Sequence, residues 1–217
     1  MNHHHPSAAH HGHRHGHHHD RGASAVLRYL RLLPRMWWSE VNEAVVRELA
    51  PAPGERVVDL GAGAGAATMQ AAKSGAEVLA VDPMPFMRSV LGLRRLLHRS
   101  GGAIHVHDGA AEAIPAADSS VDALWTVNTL HHWTDRGAAV RELTRVLRPG
   151  ARILLVDEDF ADPSHPEHAQ GRRPGLHFEE ADPETLAQAL REAGFAHAEG
   201  AHTRFAGRPA KLVRATR

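Results

Sequence analysis

Hydrophobic positions change their spacing several times along the chain, and each change marks an element. Val26, Leu27, Leu30 and Leu33 recur at helical spacing with Arg28, Arg31 and Arg35 between them, the pattern of an amphipathic helix. Pro34 interrupts this series, which predicts a second helix over 37–49 carrying Val41, Val45 and Leu49 on one stripe. Beyond Pro53, short β-type runs alternate with helical ones. Strands are predicted at 56–60, 77–81, 104–107, 121–127 and 152–156, and helices at 65–73, 86–99, 136–147 and 183–193. Gly101, Pro149-Gly150 and Gly194 close three of these helices. Residues 195–217 suit a terminal β-hairpin. Apolar strands alternating with helices predict an α/β, doubly wound, mostly parallel sheet covered on both faces. The helices at 23–50 would form an N-terminal cap in which Trp37 and Trp38 pack against the domain edge or cover a pocket.

In such a sheet ligands bind outside the carboxyl ends of the strands, so the loops that follow strands are the places to look. The first reads Asp59-Leu60-Gly61-Ala62-Gly63-Ala64-Gly65-Ala66. Glycines there allow positive φ and close approach of backbone to a ligand, and a helix start with unpaired N–H groups follows. Asp82 ends the next strand, 21 residues after Gly61, where a carboxylate accepts from ribose hydroxyls. The ligand therefore contains ribose. The glycine spacing fits a dinucleotide fingerprint as well as other nucleoside-binding loops.

Val57-Val58-Asp59-Leu60-Gly61-Ala62-Gly63-Ala64-Gly65 resembles motif I of the class I S-adenosylmethionine-dependent methyltransferases. Three later stretches are similar to that family's motifs in the same order. They are His107-Asp108-Gly109-Ala110-Ala111-Glu112-Ala113-Ile114-Pro115, then Ser120 to Leu124 continuing through Asn128-Thr129-Leu130-His131-His132-Trp133. The third is Leu143 to Gly150 with the strand after it. The resemblance covers about residues 53–157 and is nearest to the small-molecule subgroup that includes quinone-biosynthesis C-methyltransferases. It implies a seven-stranded Rossmann-like sheet whose last strand is antiparallel, and S-adenosylmethionine as cofactor with S-adenosylhomocysteine as product. It also implies roles: Gly61, Gly63 and Gly65 approach the methionine moiety, and Asp59 shapes that loop and orients the ammonium. Asp82 clamps the ribose. Asp108 accepts from the adenine amine, the N–H of Gly109 or Ala110 meets a ring nitrogen, and Asn128 lines the methionine end.

Methyl transfer asks the protein to align an acceptor, exclude water and sometimes remove a proton. His132, and after it His131, are the candidate bases, because both lie in the loop after the fourth strand. Asp157, Glu158, Asp159, Asp162, His165, His168 and His177 follow the fifth strand. Carboxylates with imidazoles could hold a cation, but their spacing matches no ligand motif, and no catalytic metal is expected. The stretch 157–181, rich in proline and poor in hydrophobic residues, suits a substrate lid. A nicotinamide enzyme is a weaker reading: the only tyrosine is Tyr29, and the only lysines are Lys73 and Lys211.

Composition narrows the partners. Lys plus Arg number 25 and Asp plus Glu number 25, which argues against a dedicated nucleic-acid binder. The absence of cysteine removes disulfides and Cys-ligated zinc together. No apolar run reaches the roughly 18 residues needed to span a bilayer, so a cytoplasmic chain without membrane contact, monomeric or homodimeric, is expected. Of 20 histidines, ten lie in the first 20 residues. Residues 1–22 lack apolar periodicity and are expected to be a disordered tail, leaving 23–217 as the catalytic domain. The tail reads as a tag remnant, a metal- or pH-sensing extension, or a dispensable extension with incidental Zn²⁺ or Ni²⁺ binding. A non-enzyme alternative is a metal-responsive or regulatory protein that binds a nucleoside-like ligand.

Overall fold

The computed structural model describes residues 37–97, 102–168 and 182–217. The chain divides into two units, 1–32 and 33–217, and every described residue belongs to the second. The expected tail, the first N-terminal helix and residues 169–181 of the expected lid lie outside the described residues.

Seven strands form one sheet: β1 (Arg56–Leu60), β2 (Glu77–Val81), β3 (Ile104–His107), β4 (Val121–Val127), β5 (Leu147–Glu158), β6 (His197–Phe205) and β7 (Arg208–Thr216). Their order across the sheet is β3-β2-β1-β4-β5-β7-β6. The first five pair in parallel, while β7 runs antiparallel to both β5 and β6. The winding reverses between β1 and β4, and the crevice at such a switch point is where this class of sheet binds ligands. The strands predicted at 56–60, 77–81, 104–107 and 121–127 form as expected.

Successive strand residues feed opposite cores, as a pleat requires. Val58, Leu60, Leu124 and Leu155 pack with helices α4 (Arg136–Val146) and α5 (Pro183–Glu192) through Leu143, Leu186 and Leu190. Val57, Val78, Leu154 and Val156 pack on the other face with helices α1 (Glu40–Leu49), α2 (Ala66–Ala72) and α3 (Pro85–Leu96), through Val41, Val45, Leu49, Met69 and Leu91. Burying each such side chain stabilises the fold by about 1.5–3 kcal/mol. Caps set the helix starts. Ser39 accepts from Asn42 N–H at 3.4 Å, so α1 begins at Glu40 rather than at Trp37. Trp37 instead lies under the Arg94 guanidinium at 4.2 Å, and Trp38 is 68% exposed. Asp135 and Asp182 cap α4 and α5 in the same way.

The fifth strand is longer than its apolar run suggested. Val121 pairs with Leu147 and Ala123 with Arg152, so Pro149-Gly150 forms a bulge inside β5 rather than a loop before it. At the other end, Asp157 and Glu158 pair with Lys211 and Ala210 of β7. These two acids were expected at the start of the lid; β7 supplies their ladder partners and keeps them in the sheet.

Candidate cofactor and catalytic site

The loop after β1 is built around three glycines with φ of 79°, 53° and 82° at Gly61, Gly63 and Gly65. Each value lies in the left-handed region that side chains avoid. Gly61 is also crowded: a Cβ there would stand 2.0 Å from Thr129 Cγ2. The loops after β1 and β4 therefore touch at Gly61. Thr129 Oγ1 is buried at that contact, with no hydrogen-bond partner among the described residues.

Asp59 lies beneath this loop, almost wholly buried. Its Oδ2 accepts from Thr68 Oγ1 at 2.5 Å, which ties the end of β1 to the first turn of α2. Burial pushes the Asp59 carboxyl up to about 6, against the pull of its bonds to Thr68. The indole N–H of Trp125, its neighbour on β4, lies beside it without a well-formed hydrogen bond.

Asp82 follows β2 and reaches back to the same loop. Its Oδ2 accepts from Gly63 N–H and its Oδ1 from Met84 N–H, both at 2.8 Å. Burial raises its carboxyl above the ordinary value, and the two backbone bonds oppose that shift. Arg88 on α3 spans the next gap, donating from Nη1 to the Asp82 carbonyl and to Asp108 Oδ1, each at 2.8 Å. Gly109 follows Asp108 in a tight place, where a Cβ would meet Val81 Cγ1 at 2.8 Å and Pro115 Cδ at 2.9 Å. Ala110 N–H points to the Ala113 carbonyl at 3.4 Å, a weak bond within its own turn. Of the two N–H groups expected to meet a ring nitrogen, Ala110 is thus already directed elsewhere. Arg145 braces this turn from behind by donating to the carbonyls of Ile114 and Ala116.

Asn128 follows β4 with φ 57°. Its Nδ2 donates to Glu158 Oε1 at 2.8 Å, and its Oδ1 accepts from Glu158 N–H at 2.7 Å. The amide is thereby occupied in locking β4 to β5. Glu158 Oε2 also meets Arg208 Nη1 and the buried His165 Nε2, each at 3.1 Å. His165 Nδ1 accepts from Glu167 N–H at 3.0 Å, so the ring proton lies on Nε2 and points at the carboxylate.

His131 and His132 form one turn of 3-10 helix with Leu130. His131 Nδ1 lies 2.9 Å from the buried Asp157 Oδ2. The same carboxylate accepts from Leu130 N–H at 3.1 Å and His131 N–H at 3.3 Å. His132 is exposed, its ring 4.0 Å from that of His131. Among the described residues no group of three or more His, Asp or Glu side chains could hold a metal ion.

The structure has Asp59 inside β1, and the glycines, Asp82, Asp108 and the two histidines in the segments that follow β1, β2, β3 and β4. Sequence reasoning missed Thr68, Arg88, Thr129 and the pairing of Asp157 with His131. A helix-start threonine was a visible signal for Thr68. The others depend on contacts between residues far apart in sequence.

A methyltransferase-domain family model matches residues 58–155. An uncharacterized methyltransferase of Mycobacterium tuberculosis is 45% identical over 108 residues, covering 50% of this chain and 42% of that protein. A demethylmenaquinone methyltransferase of Corynebacterium kroppenstedtii is 36% identical over 125 residues, covering 58% and 50%. The matched part spans about half the length of these curated relatives. A crystal structure of an S-adenosylmethionine-dependent methyltransferase from Aquifex aeolicus shares the fold with a TM-score of 0.65 at 18% identity, covering 89% of this chain and 98% of that one. No described helix is long and apolar enough to cross a membrane. Four motifs in order, the seven-stranded sheet with its antiparallel β7, and these likenesses lead to one conclusion: residues 58–155 match a methyltransferase domain, and the chain has the fold that S-adenosylmethionine-dependent methyltransferases share.

Proposed function

We propose that this protein transfers a methyl group from S-adenosylmethionine to a nucleophilic O, N or C atom of a small molecule. The observation that carries the proposal is the Asp82 carboxylate held at the β1–β4 switch point by Gly63 and Met84 N–H groups. A carboxylate offers about four acceptor sites and two of these are used, so Asp82 keeps capacity for two ribose hydroxyls. The unpartnered Thr129 hydroxyl beside Gly61 supports the same reading from the methionine side. Gly61, Gly63 and Gly65 would hold the methionine moiety and Asp82 the ribose, with Asp108 and Gly109 at the adenine. When bound, the cofactor supplies an electrophilic methyl on a sulfonium. Asp59 shapes the loop from below. Asn128, committed to Glu158, serves as a strand lock that fixes where the loop after β4 begins.

His131 is better placed than His132 to remove a proton from the acceptor. Both Asp157 oxygens accept from N–H donors, so the carboxylate takes the Nδ1 proton of His131 as well. That fixes the tautomer with the basic lone pair on Nε2. A base so held suits an acceptor that carries its proton at neutral pH, such as a phenol, a hydroquinone or an enolisable carbon. The test is methyl transfer from labelled S-adenosylmethionine to a panel of phenols, reduced naphthoquinones and amines by the full chain. His131→Ala should lower turnover while leaving S-adenosylhomocysteine binding intact, with a smaller effect from His132→Ala. Loss of cofactor binding in His131→Ala, or a larger turnover loss in His132→Ala, would contradict the assignment.

A further inference from the structure

The Arg88–Asp108 pair is half open to solvent, with side chains 22% and 73% exposed. Such pairs add little to stability, so stability does not account for an arginine held in this place. Its position does suggest a role. One nitrogen, Nη1, meets the backbone carbonyl of Asp82 and the carboxylate of Asp108 at the same distance, 2.8 Å. The carbonyl belongs to the residue proposed to hold the ribose, and the carboxylate to the residue proposed to meet the base. The guanidinium therefore fastens the base-recognition group to the end of β2.

Asp108 needs such a fastening. It follows β3, a four-residue strand at the edge of the sheet. The crowding at Gly109 fixes the backbone next to it, but among the described residues only Arg88 hydrogen-bonds the Asp108 carboxyl group. An exposed, unheld carboxylate samples several rotamers, and a ligand has to immobilise it at an entropic cost. With Oδ1 on Arg88, Oδ2 is held in one direction as an acceptor.

We propose that Arg88 is a positioning residue for purine selection. It holds Asp108 so that the free carboxylate oxygen accepts from a 6-amino group, and it thereby makes the site prefer adenine over a 6-oxo purine. A 6-oxo purine presents a carbonyl to that oxygen, so the hydrogen bond is replaced by lone-pair repulsion. The inference rests on the proposed binding of an adenosine-type cofactor.

The test compares binding of S-adenosylhomocysteine and S-inosylhomocysteine, which differ in that amine and in the proton that the 6-oxo ring carries on N1, to the full chain by calorimetry. A hydrogen bond to a charged acceptor corresponds to about tenfold or more in affinity, and that preference is expected of the natural protein. Arg88→Met should reduce the preference by about threefold or more, chiefly by weakening the amino ligand. In an Asp108→Asn background, Arg88→Met should not change the preference further, because the group it positions is gone. The preference is a ratio within each variant, so any general loss of stability cancels. An unchanged preference in Arg88→Met, or an equal change with and without Asp108, would overturn the inference. Failure of the natural protein to bind either ligand would instead overturn the methyltransferase reading.

Discussion

Asp59 offers the sharpest quantitative expectation. Its carboxyl is pushed from an ordinary 3.8 up to about 6 by burial beneath the glycine loop. At about 1.4 kcal/mol per pH unit, holding it ionised at pH 8 costs the folded state about 3 kcal/mol. The sign follows from proton uptake. Between about pH 4 and pH 6 the folded chain holds a proton at Asp59 that the unfolded chain has released. This group's contribution is therefore fully present below pH 4 and lost as pH rises through 6. Asp59→Asn removes the titration while keeping an oxygen to accept from Thr68. Its new NH₂ would face the Trp125 N–H, and such an unsatisfied donor costs about 1–3 kcal/mol. Urea denaturation of both proteins from pH 4 to pH 8 isolates the effect, because other carboxylates cancel in the difference. The variant should gain about 3 kcal/mol relative to the natural protein across that range, ending as stable or slightly more stable at pH 8. A flat difference curve, or one that falls with pH, would refute the reasoning. The natural protein keeps a costly carboxylate here, consistent with its proposed role of orienting a cationic ammonium.

Gly61→Ala combines a left-handed backbone, costing about 1–2 kcal/mol, with overpacking against Thr129, costing about 1–3 kcal/mol. A loss of about 2–5 kcal/mol in urea denaturation is expected, and adding Thr129→Ser, which removes the clashing methyl, should recover the packing part alone. Asp157→Asn should shift the pH profile of turnover and lower kcat by about 10-fold to 100-fold with little change in S-adenosylhomocysteine affinity. An unshifted profile would place Asp157 in a purely structural role. Glu158→Gln should lower the melting temperature more than it lowers cofactor affinity, since Glu158 joins Asn128, His165 and Arg208; calorimetry reads both.

How much of this was legible depended on the range of the interactions. Strands such as 56–60 and 121–127 are apolar runs bounded by turn residues, buried on both faces, and local pattern suffices to find them. The glycine loop was legible for the same reason, because left-handed backbone writes itself as glycine. Asp157 and Glu158 read as loop because they are acids. The structure keeps them in β5 because Lys211 and Ala210 of β7 pair with them, a contact no local pattern reveals. The chemistry that pairs His131 with Asp157 joins residues 26 apart, and Arg88 meets Asp108 across 20. Histidines and carboxylates were visible as candidates, but which of them meet is set by strand order. Asn128, a polar residue after β4 for which a cofactor role was expected, also makes two bonds to Glu158 that no local pattern reveals.

The central claim is that the loops after β1, β2 and β3 form a site for S-adenosylmethionine. Calorimetric titration of S-adenosylhomocysteine into the full chain tests it most directly, with Asp82→Ala as the paired variant. Saturable binding with a Kd of about 1–10 μM or tighter is expected, equivalent to about −7 to −8 kcal/mol, and it should be lost in Asp82→Ala. No saturable binding to the folded natural protein, or equal binding by the variant, would contradict the account.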